Sequence, residues 1–250
     1  MRIINNKHEV QKVFRSSNFQ RIFSFDAESF IKLIHFDVDD EITREGEIPE
    51  HLFYLVSGQA KLFITLPNGK RTLIDFFNAP CFIGEMELLG VHTQSRSVQA
   101  LVPCVCLALP LKSCRSQLLN DARFLRKLSL YLGNKNMRNV VSLAETKTYP
   151  LTNRLASFIL LAAPNGHYKE MHGNAAEYLG VSYRHLLFVL ADFVQKGYLE
   201  KTDKGYHVMN KEVLIKLTKE MNSGLNVSSL FANMDTSNYD TSPQNLKTSQ

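Results

Sequence analysis

The chain has 250 residues, 44% hydrophobic and 21% charged, with a formal net charge of +5. That length suffices for one large or two small domains, each with its own core. No run of about 18 apolar residues occurs and the first residues lack a signal-peptide core, so a cytoplasmic chain with no membrane partner is expected. Its cysteines, Cys81, Cys104, Cys106 and Cys114, should then be reduced. The mild positive charge permits a polyanionic partner without requiring one.

Residues 1–30 read as a helical segment anchored by Phe14, Phe19, Ile22, Phe23 and Phe25. From 31 to 112 the text becomes short and β-rich: LFYLV (52–56), KLFITL (61–66), RTLIDFF (71–77) and VQALVPCVCLAL (98–109). Ser57-Gly58, Pro67-Asn68-Gly69 and Asn78-Ala79-Pro80 separate these runs as turns. The Asn-Gly between two apolar runs predicts a hairpin. Many short strands with regular turns predict an antiparallel roll of the jelly-roll or double-stranded β-helix kind.

Within it lies FIGEMELLGVHTQSRSV, from Phe82 to Val98. Gly84 allows close backbone approach, Glu85 accepts from a hydroxyl, Arg96 offers a permanently charged fork and Ser97 a hydroxyl. Together they make a candidate anion and hydroxyl site.

Residues 113–149 read as a long helix with Leu118, Leu125, Leu128, Leu132, Val140 and Leu143 at helical spacing. Positions 125, 128, 132, 135, 139 and 142 approximate a heptad seam. It suits pairing with a second copy or packing on the chain's own roll. Pro150 ends or kinks this helix.

Residues 150–222 read as a helical block ending in a hairpin. NAAEYLGVSYRHLLFVLADFVQKGYLEK (174–201) carries helix-turn-helix punctuation. Ala175, Ala176 and Leu179 form one buried face, Gly180 makes the turn, and Ser182 caps the second helix. Leu186, Val189, Leu190 and Phe193 form that helix's core side. The opposite side carries Tyr183, Arg184, His185 and Phe188, suited to base edges in a major groove, and Ser182 at the start of the helix joins them as a DNA-binding residue. Thr202 to Gly205 reads as a wing turn, with Lys201 and Lys204 placed for phosphates. A helical hairpin packed for stability alone is the competing reading, and Phe188 also suits a dimer or domain contact. Residues 223–250, rich in Ser, Asn and Thr, read as a flexible tail.

The cysteine spacing, C-x22-C-x-C-x7-C, matches no metal pattern. His167 and His172 read as loop residues. No nucleophile elbow, Walker loop, zincin helix or paired carboxylates appear, so no enzyme is expected.

The order of an α+β roll, a long helix and a winged helix-turn-helix resembles the Crp–Fnr family of transcription regulators over residues 35–210. LFYLVSGQAKLFI, PNGKRTLIDFF, FIGEMELL…RSV, NRLASFILLA and AAEYLGVSYRHLL carry the resemblance. Residues 73–89 and 174–190 are especially similar to its YeiL-type regulators. The resemblance implies a homodimer, promoter or operator DNA and RNA polymerase as partners. It also implies a cyclic-nucleotide-type pocket using Gly84, Glu85, Arg96 and Ser97. The long-helix residues facing a base would be Asn136 and Asn139, with Met137 and Val140 beside them. These depart from the Thr-Ser of the cyclic-AMP receptor, and the loop between Glu85 and Arg96 is about a residue longer than in that receptor. The reading helix lacks the receptor's glutamate. A cyclic nucleotide, another small anion or effector, and no ligand all stay open. An iron–sulfur cluster is not expected, because the oxygen-sensing members use cysteines near the N-terminus and none precedes Cys81 here. Two rival readings are a nucleotide-binding module acting through protein contacts and a cysteine-based redox regulator.

Overall fold

The computed structural model describes residues 1–221, so the expected tail at 223–250 lies outside the described residues. β1 (Arg2–Ile4) pairs antiparallel with β2 (Lys32–Phe36), and α1 (Lys7–Ser16) and two 3-10 turns lie between them. β3 (Glu41–Thr43), β4 (His51–Ser57), β5 (Gln59–Thr65), β6 (Arg71–Asn78), β7 (Cys81–Ile83), β8 (Ser97–Ala100) and β9 (Cys104–Pro110) complete the roll. The short helix α2 (Glu85–Leu88) interrupts it between β7 and β8. The strands form two antiparallel sheets, ordered β1-β2-β9-β4-β7 and β3-β8-β5-β6. Leu33, Leu52, Leu55, Phe82, Leu107 and Leu109 are fully buried in its core. The helical reading of residues 1–30 misses β1, whose three residues are too few to show a period.

The run 98–109 is two strands in two sheets. Leu101 to Pro103 cross between them, and the amides of Leu101 and Val102 both donate to the Gln59 carbonyl. The crossing passes so close that a Cβ on Gly58, at φ +105°, would lie 2.6 Å from the Pro103 carbonyl oxygen. Glycine therefore serves both the turn and the close approach. β6 carries a bulge: Asp75 pairs with Leu62 but Leu73 pairs with Phe63, leaving Ile74 as the extra residue. A bulge reverses side-chain parity along the strand.

The stretch 113–149 is likewise not one helix. α3 (Leu111–Asn120) and α4 (Ala122–Thr148) meet at Asp121. The Asp121 carboxylate accepts from the amides of Arg123 and Phe124, capping α4, and from the Ser24 amide at 2.7 Å. The seam drawn from Leu125 faces the protein's own roll: Leu128 is buried in the roll core, with Leu125 and Leu132 packed against it. Spacing alone does not separate a dimer seam from a core-facing stripe. Leu130, Met137 and Val140, on the opposite side of α4, are each more than half exposed.

Pro150 ends α4 and opens α5 (Leu151–Ala162). β10 (His167–Tyr168), α6 (His172–Tyr178), α7 (Tyr183–Gln195), β11 (Leu199–Thr202), β12 (Gly205–Val208) and α8 (Lys211–Lys219) follow. The block closes on α8, not on the hairpin. His167 and His172 are not loop residues: one lies in β10, which adds a third strand to the wing sheet, and the other starts α6. No helix among the described residues is long and apolar enough to cross a membrane.

The Asp121 cap generates a test. Burial raises its pKa, but the bonds from Ser24, Phe124 and Arg123 prevail, so it stays below the ordinary 3.8. Its stabilisation is therefore complete above that value and is lost as the pH falls through the lower, folded one. Urea unfolding at neutral pH should show Asp121→Ala less stable by about 1–2 kcal/mol. The gap should close in strong acid.

Candidate functional sites

Two sites emerge, one in the roll and one on the helix-turn-helix. In the roll, β7 delivers Gly84 at φ +93°, and α2 begins at once with Glu85. The loop from Leu89 to Ser95 returns the chain to Arg96 and β8. Gly84, Glu85, Glu87, His92, Arg96 and Thr43 line a cavity of about 100 Å³ with Lys135 of α4. Leu62, Phe77, Ile83 and Val98 supply its apolar wall.

The key charged groups there already have partners. Lys135 Nζ donates to Glu85 Oε1 at 2.8 Å, with the two side chains only 17% and 3% exposed. The same ammonium sits 4.8 Å from the centre of the Phe77 ring. Arg96 Nη1 lies 3.5 Å from Glu45 Oε1. Burial acts to raise the Glu45 pKa, but the Thr65 hydroxyl and amide and Arg96 hold it below the usual carboxylate range.

The structure thus brings Gly84, Glu85 and Arg96 together, but not the rest of the predicted set. Ser97 stands opposite Phe63 on the outer face of the roll, where Arg71 Nη2 donates to its hydroxyl at 2.8 Å. Neighbouring strand residues point to opposite faces, so Arg96 and Ser97 part company. Asn136 is exposed, and Asn139 lines a separate cleft of about 930 Å³ between β6, α4, α5 and α6. Lys135 is the residue the sequence reading missed as a site group. Its signal was present, since the apolar heptad turns to lysine at that position. The Lys135–Glu85 pair stands in the wall of a cavity smaller than the roughly 300 Å³ usual for a small-molecule pocket.

The second site is open. Ala175, Ala176 and Leu179 of α6 and Leu186, Val189, Leu190 and Phe193 of α7 are buried, as their spacing predicts. Gly180 makes the turn at φ +63°. The Ser182 hydroxyl accepts from the His185 amide at 3.2 Å, so it caps α7. Tyr183, Arg184, His185 and Phe188 all face solvent, and Phe188 is 72% exposed. Lys201 and Lys204 are exposed on β11 and its turn. The structure adds an aromatic link that the sequence reading did not find. The His172 ring lies 5.8 Å from Tyr206 of the wing and 6.2 Å from Tyr183. Burial, then Lys201, lowers the His172 pKa.

The four cysteines are free and buried. Burial pushes the Cys104 and Cys114 thiols up to about 11, and it raises those of Cys81 and Cys106 as well. Among the described residues, no group of three or more His, Cys, Asp or Glu side chains is placed to hold a metal.

Comparison with known proteins fits this geometry. Residues 33–121 match the cyclic nucleotide-binding domain family. The chain is 52% identical over 205 residues to the regulatory protein YeiL of Escherichia coli O157:H7, covering 82% of this chain and 94% of that one. It is 20% identical over 182 residues to the CRP-like cAMP-activated global transcriptional regulator of Mycobacterium tuberculosis, covering 69% and 81%. In fold it resembles a transcriptional regulator of the CRP/FNR family from Thermus thermophilus, with a TM-score of 0.59, 18% identity and coverage of 75% and 98%.

Lys135 can be tested by stability alone. Lys135→Met leaves the Glu85 carboxylate buried without a cation, and the cost should sit at the low end of about 3–5 kcal/mol. Adding Glu85→Gln should recover most of it in thermal unfolding.

Proposed function

Because the chain belongs to the Crp–Fnr family of transcription regulators, we propose that it binds operator or promoter DNA as a homodimer whose roll controls the two reading heads. Residues 31–112 act as the sensor, α4 as the dimer helix and 150–222 as the reader. The observation that carries this is the two-sided chemistry of α7. One side is sealed into the core, while Tyr183, Arg184, His185 and Phe188 stand free beside the wing lysines. Arginine can take a guanine bidentately and an exposed aromatic can meet a thymine methyl. The Ser182 hydroxyl accepts from the His185 amide as the cap of α7 and keeps its own proton to donate to the DNA.

A dimer follows from α4. Its exposed stripe of Leu130, Met137 and Val140 opposes the roll-facing side and suits the same stripe on a second copy. Two copies would present their reading helices to successive major grooves, about 34 Å apart. Gly84, Glu85 and Arg96 form the effector end. An occupant there acts by taking Glu85 from Lys135, which couples the cavity directly to the dimer helix.

Gel-shift titration on selected promoter DNA tests the reading. Arg184→Ala should weaken specific binding by about 1–3 kcal/mol and relax the preference at one position. Lys204→Ala should weaken all sequences alike and reduce the salt slope by about one. Unchanged affinity and preference for Arg184→Ala would remove α7 as the reader. Separately, Met137→Glu should shift the protein from dimer to monomer in sedimentation, and a stripe that merely faces solvent would leave the mass unchanged.

A further inference from the structure

The outer face of the β5–β6 hairpin belongs structurally to the reading head. Phe63, Leu73 and Phe76 are buried in the same apolar cluster as Leu155, Phe158 and Ala175. Phe76 meets the rings of Phe158 and Tyr178 edge-on, each with centroids 5.8 Å apart.

Two ion pairs flank this apolar patch. Lys61 Nζ of β5 lies 3.1 Å from Glu170 Oε2, with side chains 13% and 6% exposed. Asn174 Nδ2 of α6 donates to the other oxygen of Glu170 at 2.9 Å. Lys70, at the hairpin turn, pairs with Glu177 of α6, which also accepts from the Thr72 hydroxyl. Exposed pairs contribute little to stability, but a nearly buried carboxylate such as Glu170 depends on its cation.

We propose that Lys61 and Lys70 are positioning residues for DNA recognition: by holding Glu170 and Glu177 they set the tilt of the reading head against the roll, and the locked arrangement is the one that binds DNA. The inference rests on the DNA-binding reading above. Two features fix its direction. The lock covers none of Tyr183, Arg184, His185, Phe188, Lys201 or Lys204, all of which remain open to solvent. It also neutralises two carboxylates on or beside α6, the helix that precedes the reader, where an unpaired negative charge would oppose a polyanion. The lock touches the sensor as well. Arg71, stacked 4.2 Å from the centre of the Phe63 ring, donates to Ser97, the neighbour of cavity-lining Arg96.

The test uses the full-length dimer with Lys61→Glu, Glu170→Lys and the double swap, whose net charge equals the wild type. Lys32→Glu, on β2 of the other sheet, controls for charge alone. Each protein is checked for fold by circular dichroism. It is then titrated on the selected operator and on operators whose half-sites are moved one or two base pairs apart. Lys61→Glu should bind about tenfold more weakly than Lys32→Glu and lose its preference for the native spacing, and the swap should restore both. If Lys61→Glu does not fold, the more exposed Lys70→Glu and its swap with Glu177→Lys carry the same comparison. A swap that stays as weak as the single variant, or a Lys61→Glu no weaker than the control, overturns the lock. Wild-type protein with no salt-dependent DNA affinity overturns the DNA-binding reading itself, and the lock with it.

Discussion

A carboxylate as buried as that of Glu85 needs a cation beside it, and that requirement organises this chain. Lys135 supplies the cation from α4, so α4 must lie against the roll with one fixed face inward. Leu128 and Tyr131 share that face, and the Tyr131 hydroxyl donates to the Phe82 carbonyl just before Gly84. Arg138, one turn on from Lys135, reaches Asp75 of β6 at 3.0 Å. Once these contacts set the rotation of α4, its other side can only point outward. The exposed stripe is a consequence of the buried pair, and the two demands are met by one helix because about 3.6 residues per turn separate the faces cleanly.

The same logic applies to β6, which is buried on both faces. Phe77 enters the roll core while Leu73 and Phe76 join the core of the reading head. Leu73 and Phe77 have the same parity, so a regular strand would put them on one face. The extra residue Ile74 breaks that parity and delivers Leu73 outward to stand with Phe76. The roll and the reading head are therefore joined through a shared strand pair as well as through the long helix.

These two features mark where the sequence was legible and where it was not. The hairpin at Asn68-Gly69, the cap at Ser182, the turn at Gly180 and the core side of α7 follow from local rules, because each depends on residues within one or two turns of chain. The Asp121 break was also written locally, as an aspartate before a helical run, but the apolar spacing on either side masked it. The rotation of α4 was not legible. Leu125, Leu128 and Leu132 suit a copy or the roll equally, and only the position of Glu85 in space decides. The separation of Ser97 from Arg96 follows from strand alternation once β8 is known to begin at Ser97. The bulge has no local signature, and without it RTLIDFF reads merely as a strand with apolar residues on both sides.

The geometry also bears on how the sensor would speak to the reader. An occupant that satisfies Glu85 removes the reason for Lys135 to stay, and it affects the α4 equilibrium only to the extent that it replaces that bond better in one arrangement than in the other. Three residues along the same helix face, Arg138 ties α4 to Asp75, and β6 then leads through Phe76 to Phe158 and Tyr178 of the reading head. A second line runs from Arg96 through its neighbour Ser97 to Arg71 and the Phe63 ring. Both lines end on the outer face of β5–β6. A small displacement in a cavity of about 100 Å³ therefore need not travel the length of α4 to reach α6 and α7. It has only to shift a strand pair that places Phe77 in the roll core and Leu73 and Phe76 in the core of the reading head, and side chains in close contact pass a displacement on to their neighbours.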